Sequence, residues 1–442
     1  MNKIEPRTLS GFMELLPEEQ ILFDQMKEVI ENTYKMHGFL PLDTPIIELS
    51  EILLAKAGGE TEKQIYRFNK GDKDLSLRFD LTVPLSKYVA KNYGNLSFPF
   101  RRYQIGKVYR GERTQKGRFR EFYQCDIDII GDEELDIIND AELPSVIYEI
   151  FKGLGFEKFT IRINNRKILN GLFESIGEKD KATDILHVID KIEKIGKDNV
   201  IKELNEIGLS EEKTQKVIEF IEIEGNTDEK IEKLEKLNIE NESFNKGLEE
   251  LKQVVKYVRI FGIPDSNFKI DLTIARGLDY YTGTVYETFL DDYRELGSVC
   301  SGGRYENLAE YYTNKKLPGV GISIGLTRLF YKLNELNLIN FERRSISKVL
   351  IIPMIEDLEI PIKISNDLRK YRINTEIYLN NKKLKAKFKY ADKLKIPYVI
   401  IVGEDEINNN VVTVKNMQTG KEQKAPIDGI GGEVFKIMFN DI

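Results

Sequence analysis

The pattern of apolar and charged residues changes at RRSIS, residues 343–347, and this change constrains the fold more than any other feature. After it, KVLIIPM, NTEIYL and YVIIVG have the composition of buried strands. DLEIPIKISNDLRKY and KKLKAKFKYADKLK, which lie between those strands, have helical periodicity. Alternation of strands and helices at this spacing predicts a separate, largely parallel α/β domain. We therefore expect a larger domain at 1–342, a linker at 343–347 and an α/β domain at 348–442.

The larger domain contains a strand-rich part and a helical part. SLRFDL (76–81), IGKVYRGE (105–112) and EFYQCDIDIIG (121–131) are strand-like, and DIDII alternates as a strand with one wet face does. The basic, glycine-containing segment RTQKGRFR separates the last two, which predicts a hairpin with a long charged loop. FTIRINN, FKIDLTIARGL and TGTVYETFL are further strand candidates. Between them, Lys, Glu, Ile and Leu dominate from about 181 to 258, which predicts an inserted helical subdomain.

Composition excludes several classes of protein. The chain has 442 residues and a formal net charge of −7, so any contact with RNA must come from local basic patches. Cys125, Cys300, His37 and His187 are the only cysteines and histidines, and they form no zinc-binding pattern. We expect Cys125 to be a small core residue and His37 to pack near a helix end. The acidic, proline-containing start and the lack of a long apolar run predict a cytoplasmic protein without a signal peptide or membrane helix.

The predicted hairpin carries a marked separation of charge. Arginines are concentrated on or beside it, among them Arg101, Arg110, Arg113, Arg118 and Arg120. Arginine presents a planar fork that suits phosphate oxygens. The acceptors Gln124, Asp126 and Asp128 follow on the next strand. Cations at one end and acceptors at the other suit a zwitterion that carries a phosphate, although a solvated basic loop is the alternative.

The stretch ARGLDYYTGTVYE, 275–287, places an arginine beside two tyrosines at the start of a strand. A plain core strand needs neither, whereas a site that grips an anion and a polar ring needs both. No phosphate-binding GxxxxGK[ST] loop is present, and GVGISIG, 319–325, does not match the dinucleotide-binding pattern. If the chain uses ATP, it must therefore do so with another scaffold.

Five peptides, in order, carry a resemblance to a known family. HGFLPLDTPIIE, with Pro45, resembles motif 1 of the class II aminoacyl-tRNA synthetases; VYRGER with RFREFYQ resembles motif 2; and GVGISIGLTRL resembles motif 3. ARGLDYYTGTVYE and SGGRYENL resemble the two signature peptides of the histidyl-tRNA synthetases, and SGFMELLPEEQ and RFDLTVPL are similar too. The resemblance covers nearly the whole chain.

This resemblance implies a fold and an activity. The fold is α+β, with a class II antiparallel-sheet catalytic domain, a helical insertion and a C-terminal anticodon-binding-like α/β domain. The activity is ATP-dependent attachment of L-histidine to its tRNA through a histidyl-adenylate. Motif 1 implies a homodimer. Mg²⁺ is expected to bridge the ATP phosphates, largely through water and phosphate oxygens and without a metal site made by protein side chains.

The resemblance also assigns roles to residues. Arg110 and Arg276 are the expected catalytic residues, because a fixed guanidinium stabilises the charge that grows on the α-phosphate in the transition state. The residues implied in ATP binding are Arg110, Glu112, Arg118, Phe122, Arg276 and Arg328. Those implied in histidine binding are Asp80, Leu81, Thr82, Arg110, Gln124, Asp128, Arg276, Tyr280, Tyr281 and Tyr305.

Three positions depart from the commonest family pattern. Thr327 stands where motif 3 usually has an acid before its arginine, and Thr114 stands where the motif 2 loop often has proline. RFDLT replaces the RPEGT form of many bacterial members, so that Asp80 takes the place of a glutamate. These differences bear on how ATP and tRNA are positioned rather than on the reaction.

The C-terminal domain contains a lysine-rich helix, KKLKAKFKYADKLK, with seven lysines. Its position favours contact with tRNA phosphates through Lys383, Lys387 and Lys389, and a solvated amphipathic face is the alternative.

Two other functions compete with histidine ligation. One is a non-catalytic histidine-binding paralogue such as the regulatory subunit of ATP phosphoribosyltransferase, and the other is an RNA-binding protein with a dead site. The C-terminal domain, Arg110 and Arg276 favour a synthetase.

Overall fold

The structure is a computed structural model that describes residues 3–55, 60–113, 117–274, 281–306, 309–338 and 344–440. The chain divides into two compact units: Met1–Met13 with Met26–Leu336, and Glu14–Gln25 with Asn337–Ile442. Helix α1 (Pro17–Met36) is divided between them. Residue 343 lies outside the described residues, and the proposed limits of the linker stay a prediction.

The first unit is built on an eight-stranded sheet and a small three-stranded sheet. Its strands are β1 (Leu40–Pro41), β2 (Ile47–Leu49), β3 (Arg67–Lys70), β4 (Lys73–Leu77), β5 (Phe100–Tyr109), β6 (Glu121–Ile130), β7 (Phe159–Asn165), β8 (Phe268–Ile270), β9 (Tyr281–Leu290), β10 (Cys300–Tyr305) and β11 (Gly319–Ile324). The large sheet has the order β1-β5-β6-β11-β10-β9-β7-β8, and the small one the order β2-β4-β3. In the large sheet only the end pairs β1–β5 and β7–β8 are parallel among the described strands. The predicted α+β class, with a mainly antiparallel sheet, is confirmed.

The helices of this unit fall into two groups along the chain, outside and within the segment predicted as an insertion. Outside it lie α2 (Ser50–Leu54), α3 (Glu60–Gln64), α4 (Thr82–Asn92), α5 (Ile138–Gly153), α6 (Arg166–Ser175) and α13 (Leu326–Glu335). Those that follow α6 and precede β8 are α7 (Ala182–Ile189), α8 (Ile192–Ile195), α9 (Lys197–Glu206), α10 (Glu211–Ile221), α11 (Thr227–Lys236) and α12 (Glu242–Ile260). The side chains of Ser210, Asn226 and Asn241 accept hydrogen bonds from the first turns of α10, α11 and α12, which fixes where these three helices begin.

The β5–β6 hairpin is present as predicted, but the DIDII part of β6 has no solvent-exposed face. Its acids Asp126 and Asp128 are only 2% and 4% exposed. Cys125 and Ile127, on the other face, are fully buried, and the carbonyl of Cys125 accepts a hydrogen bond from the hydroxyl of Tyr34 in α1 (2.9 Å). The alternation therefore separates an apolar core face from a buried polar face. The predicted strand at 76–81 is wrong beyond Leu77, where β4 ends and the chain turns into α4.

The second unit contains a five-stranded sheet of order β13-β12-β14-β15-β16. Its elements are β12 (Val349–Pro353), α14 (Glu359–Lys370), β13 (Thr375–Ile377), α15 (Leu384–Lys393), β14 (Tyr398–Val402), α16 (Glu404–Asn408), β15 (Val411–Asn416), β16 (Glu422–Pro426) and α17 (Ile430–Asn440). Strand β12 pairs in parallel with β13 and β14, but β14–β15 and β15–β16 are antiparallel. The sheet is thus mixed rather than largely parallel, because the short turn between β15 and β16 permits only an antiparallel pair.

Candidate active site

A cavity of about 600 Å³ brings most of the predicted site residues together. The predicted residues that line it are Asp80, Thr82, Arg110, Glu112, Arg118, Phe122, Gln124, Asp128, Tyr281, Tyr305 and Arg328. Among the predicted histidine and ATP residues that the structure describes, Leu81 does not line the cavity. Its side chain is fully buried, and its carbonyl accepts a hydrogen bond from Arg102. Arg276, Tyr280 and Thr114 lie outside the described residues.

Strand β6 runs along the cavity and lines it with one face. Successive side chains of a strand point to opposite faces, so Phe122, Gln124, Asp126 and Asp128 share one face, and all four line the cavity. At about 3.3 Å per residue, they span roughly 20 Å. An aromatic ring therefore stands toward one end of this row and a carboxylate at the other.

Arginines occupy the end of the cavity near Phe122. The guanidinium of Arg110 lies 5.1 Å from the centroid of the Phe122 ring, and its Nε donates to the carbonyl of Phe79 (3.3 Å). Arg118 pairs with Glu112 at 3.3 Å. Arg328 donates from Nη2 to the carbonyl of Leu296 (2.6 Å). Three arginines that line one cavity together with an aromatic ring suit a polyphosphate attached to a flat base.

Thr327 links the helix that carries Arg328 to the strand that carries Phe122. Its side chain is 2% exposed, and its Oγ1 accepts a hydrogen bond from the backbone N–H of Tyr123 (2.8 Å). Threonine, which stands here in place of the usual acid, therefore has a structural role, because its hydrogen bond fixes α13 against β6. This contact joins the immediate neighbours of Arg328 and Phe122, both of which line the cavity.

Carboxylates occupy the other end of the cavity. Oδ1 of Asp80 accepts hydrogen bonds from the backbone N–H groups of Thr82 (3.2 Å) and Val83 (2.9 Å), so this side chain also caps the start of α4. Burial raises the pKa of Asp80 above its ordinary value, and these hydrogen bonds oppose the rise. Burial also raises the pKa of Asp126 to about 7 and that of Asp128 to about 6.

Two donors hold Asp128 in place. Its Oδ2 lies 2.6 Å from Nη2 of Arg102, and its Oδ1 accepts a hydrogen bond from the hydroxyl of Tyr305 (2.9 Å). Gln124 donates from Nε2 to Ser323 Oγ (2.9 Å), whereas its Oε1 is buried and has no hydrogen-bond partner among the described residues. A buried acceptor of this kind, inside a cavity, suits a donor on a ligand.

Glycines of β11 make room for these side chains. A Cβ on Gly319 would lie 2.5 Å from Cε2 of Tyr305, and a Cβ on Gly321 would lie 2.7 Å from Cγ of Asp128. Real Cβ atoms do not approach other atoms so closely. The first two glycines of GVGISIG thus leave the space that Tyr305 and Asp128 occupy at the acid end of the cavity.

Sequence reasoning assigned no role to Arg102, Asp126 or Ser323, although it named Asp126 among the acceptors of the hairpin. Arg102 is fully buried and stands directly opposite Asp128 in the β5–β6 register. Asp126 and Ser323 both line the cavity. The signal that could have found all three is the strand register, since alternate positions of β5, β6 and β11 beside Asp128 must share its face.

One of the three lysines predicted to contact tRNA, Lys387, is buried. Lys387 is only 7% exposed, its Nζ donates to the carbonyl of Pro353 (2.6 Å), and burial lowers its pKa. Its ammonium group therefore makes its hydrogen bond inside the second unit and is not available to RNA. Lys383 and Lys389 are exposed.

The fold and this arginine–aspartate cavity define a class II aminoacyl-tRNA synthetase. The family model described as Histidyl-tRNA synthetase matches residues 11–329, and the one described as Anticodon binding domain matches 348–436. The chain belongs to the histidyl-tRNA synthetase family, and ATP is a substrate of that family.

Individual relatives agree with this assignment. A protein of Clostridium tetani named Histidine--tRNA ligase is 61% identical over 438 residues, which is 99% of each chain. The crystal structure of histidyl-tRNA synthetase from Nostoc sp. PCC 7120 has a TM-score of 0.91 and 40% identity, and the match covers 98% of this chain and 100% of that one.

A more distant match bears on the competing function. A Bacillus halodurans C structure, titled as an ATP phosphoribosyltransferase regulatory subunit/histidyl-tRNA synthetase, has a TM-score of 0.73 but only 19% identity, over 91% of this chain and 99% of that one. This match shows the fold alone, so the regulatory-subunit alternative is not favoured. Within the described residues, no helix combines the length and the apolar character that a membrane span requires.

Proposed function

We propose that this chain attaches histidine to its tRNA in two steps, both carried out in the cavity described above. The observation that supports this most strongly is the arrangement of charge. Arg110, Arg118 and Arg328 line one end, and Asp126 and Asp128 line the other. A phosphate-bearing base fits the first end, and the α-ammonium and imidazole N–H groups of histidine fit the second, so that the reacting atoms meet between the two.

In the first step, an oxygen of the histidine carboxylate attacks the α-phosphorus of ATP. A new P–O bond forms, the bond to the bridging oxygen breaks, and pyrophosphate leaves with that electron pair. We assign Arg110 and Arg276 to the non-bridging oxygens, where negative charge grows. In the second step, a hydroxyl of the tRNA 3′ end attacks the carbonyl carbon of the adenylate, and AMP leaves.

Histidine is selected by the acid end of the cavity. We assign the α-ammonium group to Asp80, Thr82 and Gln124, where the unpartnered Oε1 of Gln124 is an acceptor. The imidazole is assigned to the Asp128 carboxylate, with Tyr280, Tyr281 and Tyr305 around the ring. An ionised Asp128 accepts the N–H of the ring, and Tyr305 keeps the carboxylate in place through its hydroxyl.

The ATP end is assigned to the arginines and to Glu112 and Phe122. We propose that Phe122 stacks on adenine, that Arg118 and Glu112 hold the base and phosphates, and that Arg328 lies near the γ-phosphate. ATP is expected to enter as its magnesium complex, with the ion held mainly by phosphate and water. In the described part of the chain, no group of three or more His, Cys, Asp or Glu side chains could hold a metal ion.

The anticodon-binding domain is proposed to bind tRNA through the exposed face of α15. Lys383, immediately before α15, and Lys389, within it, are exposed and remain available for phosphate contacts. We also retain 1–342, 343–347 and 348–442 as the limits of the catalytic domain, linker and C-terminal domain.

A homodimer in the cytoplasm completes the proposal. Leu40, Ile46, Ile47 and Leu49, which lie in or just after the motif 1 peptide, are 40–59% exposed in a single chain. An exposed apolar set of this kind favours association with another surface. Sedimentation analysis should therefore give twice the mass of one chain.

The decisive experiment is pyrophosphate exchange into ATP with each of the twenty amino acids, followed by charging of tRNA. We expect exchange with histidine alone, since a pocket with unpaired polar groups rejects an apolar substitute by about 1–3 kcal/mol for each such group. Comparable turnover with another amino acid would contradict the proposal. Histidine binding without exchange would favour the regulatory alternative.

A further inference from the structure

Arg102 is a buried cation beneath the histidine end of the cavity and is not part of its lining. The side chain is fully buried on β5. Its Nη2 lies 2.6 Å from Asp128 Oδ2 and 3.4 Å from the carbonyl oxygen of Leu81. Its Nε and Nη1 have no hydrogen-bond partner in the described part of the chain. A buried guanidinium with so few partners costs stability, which calls for an explanation in terms of function.

The surroundings of Arg102 are strongly acidic. Asp128 and Asp126 belong to the neighbouring strand β6, and Asp80 precedes α4; all three are at most 6% exposed. Their negative charges act on one another, and burial favours their protonated forms. Among the described groups, the Arg102 cation opposes both effects at Asp126 and Asp128.

We propose that Arg102 is a positioning residue for histidine, which acts through Asp128 by holding that carboxylate ionised and oriented toward the imidazole. This inference rests on the proposed function. The substrate does not touch Arg102, so its contribution is to the state of another side chain. That role separates it from the residues that line the cavity.

The geometry around Asp128 supports orientation. Arg102 holds Oδ2 from β5, and the hydroxyl of Tyr305 holds Oδ1 from β10. On β11, Gly321 has no Cβ to push the carboxylate away. A carboxylate has about four lone-pair sites, so two fixed donors set its plane and leave sites for a ring N–H.

The charges around Asp128 support ionisation. Strand β5 supplies the Arg102 cation, β10 supplies the Tyr305 phenol, β6 itself supplies Asp126, and the segment before α4 supplies Asp80. The β11 residues that face it, Gly321 and Ser323, carry no charge. Burial raises the pKa of Asp128 to about 6, and Arg102 opposes this rise. Removal of Arg102 should therefore raise the pKa of Asp128 further, toward the pH at which the enzyme works.

The test is Arg102→Met, a neutral side chain of similar length, measured by histidine-dependent pyrophosphate exchange between about pH 5.5 and 9. We expect the KM for histidine at pH 7 to rise by about twofold to tenfold, because a rise of the Asp128 pKa by one to two units above about 6 lowers the ionised fraction at pH 7 by these factors. The KM should recover toward the wild-type value as the pH is raised. The KM for ATP should change by less than about threefold. Histidine's own titration is common to every variant, so the comparison between variants removes it.

Arg304→Met is the matched control. Arg304 is also a buried arginine, 6% exposed, and its Nη2 lies 2.6 Å from Asp140. Asp140 belongs to α5, and Arg304 does not line the cavity. Its loss should lower thermal stability while the dependence of the histidine KM on pH stays that of the wild type. An Arg304→Met profile displaced like that of Arg102→Met would overturn the inference, because the displacement would then be a general effect of destabilisation.

Two further measurements decide the question if Arg102→Met does not fold. Arg102→Lys keeps the charge on a differently shaped side chain, and its histidine affinity should be intermediate. Calorimetric titration of the wild type with histidine, in two buffers of different ionisation enthalpy, should show an additional proton released near pH 6 that Arg102→Lys displaces. Unchanged histidine affinity and proton release in Arg102→Lys would overturn the inference. Absence of histidine-dependent exchange in the wild type would instead refute the proposed function.

Discussion

Replacement of Gly321 by alanine tests the acid end of the cavity with a single added methyl group. The new Cβ would lie 2.2 Å from Oδ1 of Asp128 and 2.7 Å from the carbonyl oxygen of Ile127. Ordinary contacts begin at about 3.4 Å, so the Asp128 oxygen must move by roughly 1.2 Å and the Ile127 oxygen by roughly 0.7 Å. The carbonyl belongs to the paired strand β6 and yields little, which leaves the Asp128 carboxylate to move.

The size of the effect follows from the cost of overpacking. Extra methyl groups in a packed site cost about 1–3 kcal/mol. If that cost falls on histidine recognition, the KM for histidine rises by about fivefold to about 150-fold. Arg110 and Phe122, at the other end of β6, keep their places, so the KM for ATP should change by less than about threefold.

The assay is steady-state pyrophosphate exchange with histidine and ATP varied in turn, together with a thermal unfolding midpoint. Gly94→Ala is the matched control, because a Cβ at Gly94 meets nothing within 4 Å. That variant should behave as the wild type in both substrates. A folded Gly321→Ala protein with an unchanged histidine KM would refute the placement of the imidazole against Asp128.

Three other predictions test the arginine end, the buried acids and the lysine helix. Thr327→Val removes the acceptor of a buried β6 amide and should cost about 1–3 kcal/mol of stability and raise the KM for ATP, whereas Thr327→Ser should retain both, as unfolding and exchange assays will show. Burial raises the pKa of Asp126 to about 7, so the folded state binds more protons than the unfolded state. The free enzyme should therefore gain stability as the pH falls from about 7.5 to 5. Asp126→Asn should reduce that gain, as measured by thermal unfolding. Lys383→Ala with Lys389→Ala should lower the salt dependence of tRNA binding by about one unit of slope for each phosphate that is no longer bound, while Lys387→Met should leave the slope unchanged and lower stability.

The periodic elements were predictable because their signals are local. The hairpin of β5 and β6, the helical insertion and the alternating start of the second unit follow from apolar spacing and turn residues. The antiparallel strands β15 and β16 were not predicted: VVTVKN has the β-branched alternation of a strand and was overlooked, whereas EQKAP, in which only Ala425 is buried, carries no such signal. Pairing with β14 stabilises them, and this is a tertiary effect that a single segment does not reveal.

The site residues divide in the same way. Motif resemblance found the side chains that line the cavity, such as Asp80 and Arg328. It did not find Arg102, since an arginine beside another arginine reads as surface charge until the strand register places it opposite Asp128. The same limit explains Lys387, because helical spacing alone does not decide which lysine turns toward the sheet.

The central claim is that one cavity holds histidine against Asp128 and the nucleotide against the arginines. A crystal structure with a non-hydrolysable analogue of histidyl-adenylate tests it most directly. The account predicts an imidazole nitrogen within about 3 Å of an Asp128 carboxylate oxygen. It also predicts adenine on Phe122 and the phosphate oxygens against Arg110. An analogue bound with its imidazole away from Asp128, or in the reverse direction along β6, would contradict the account.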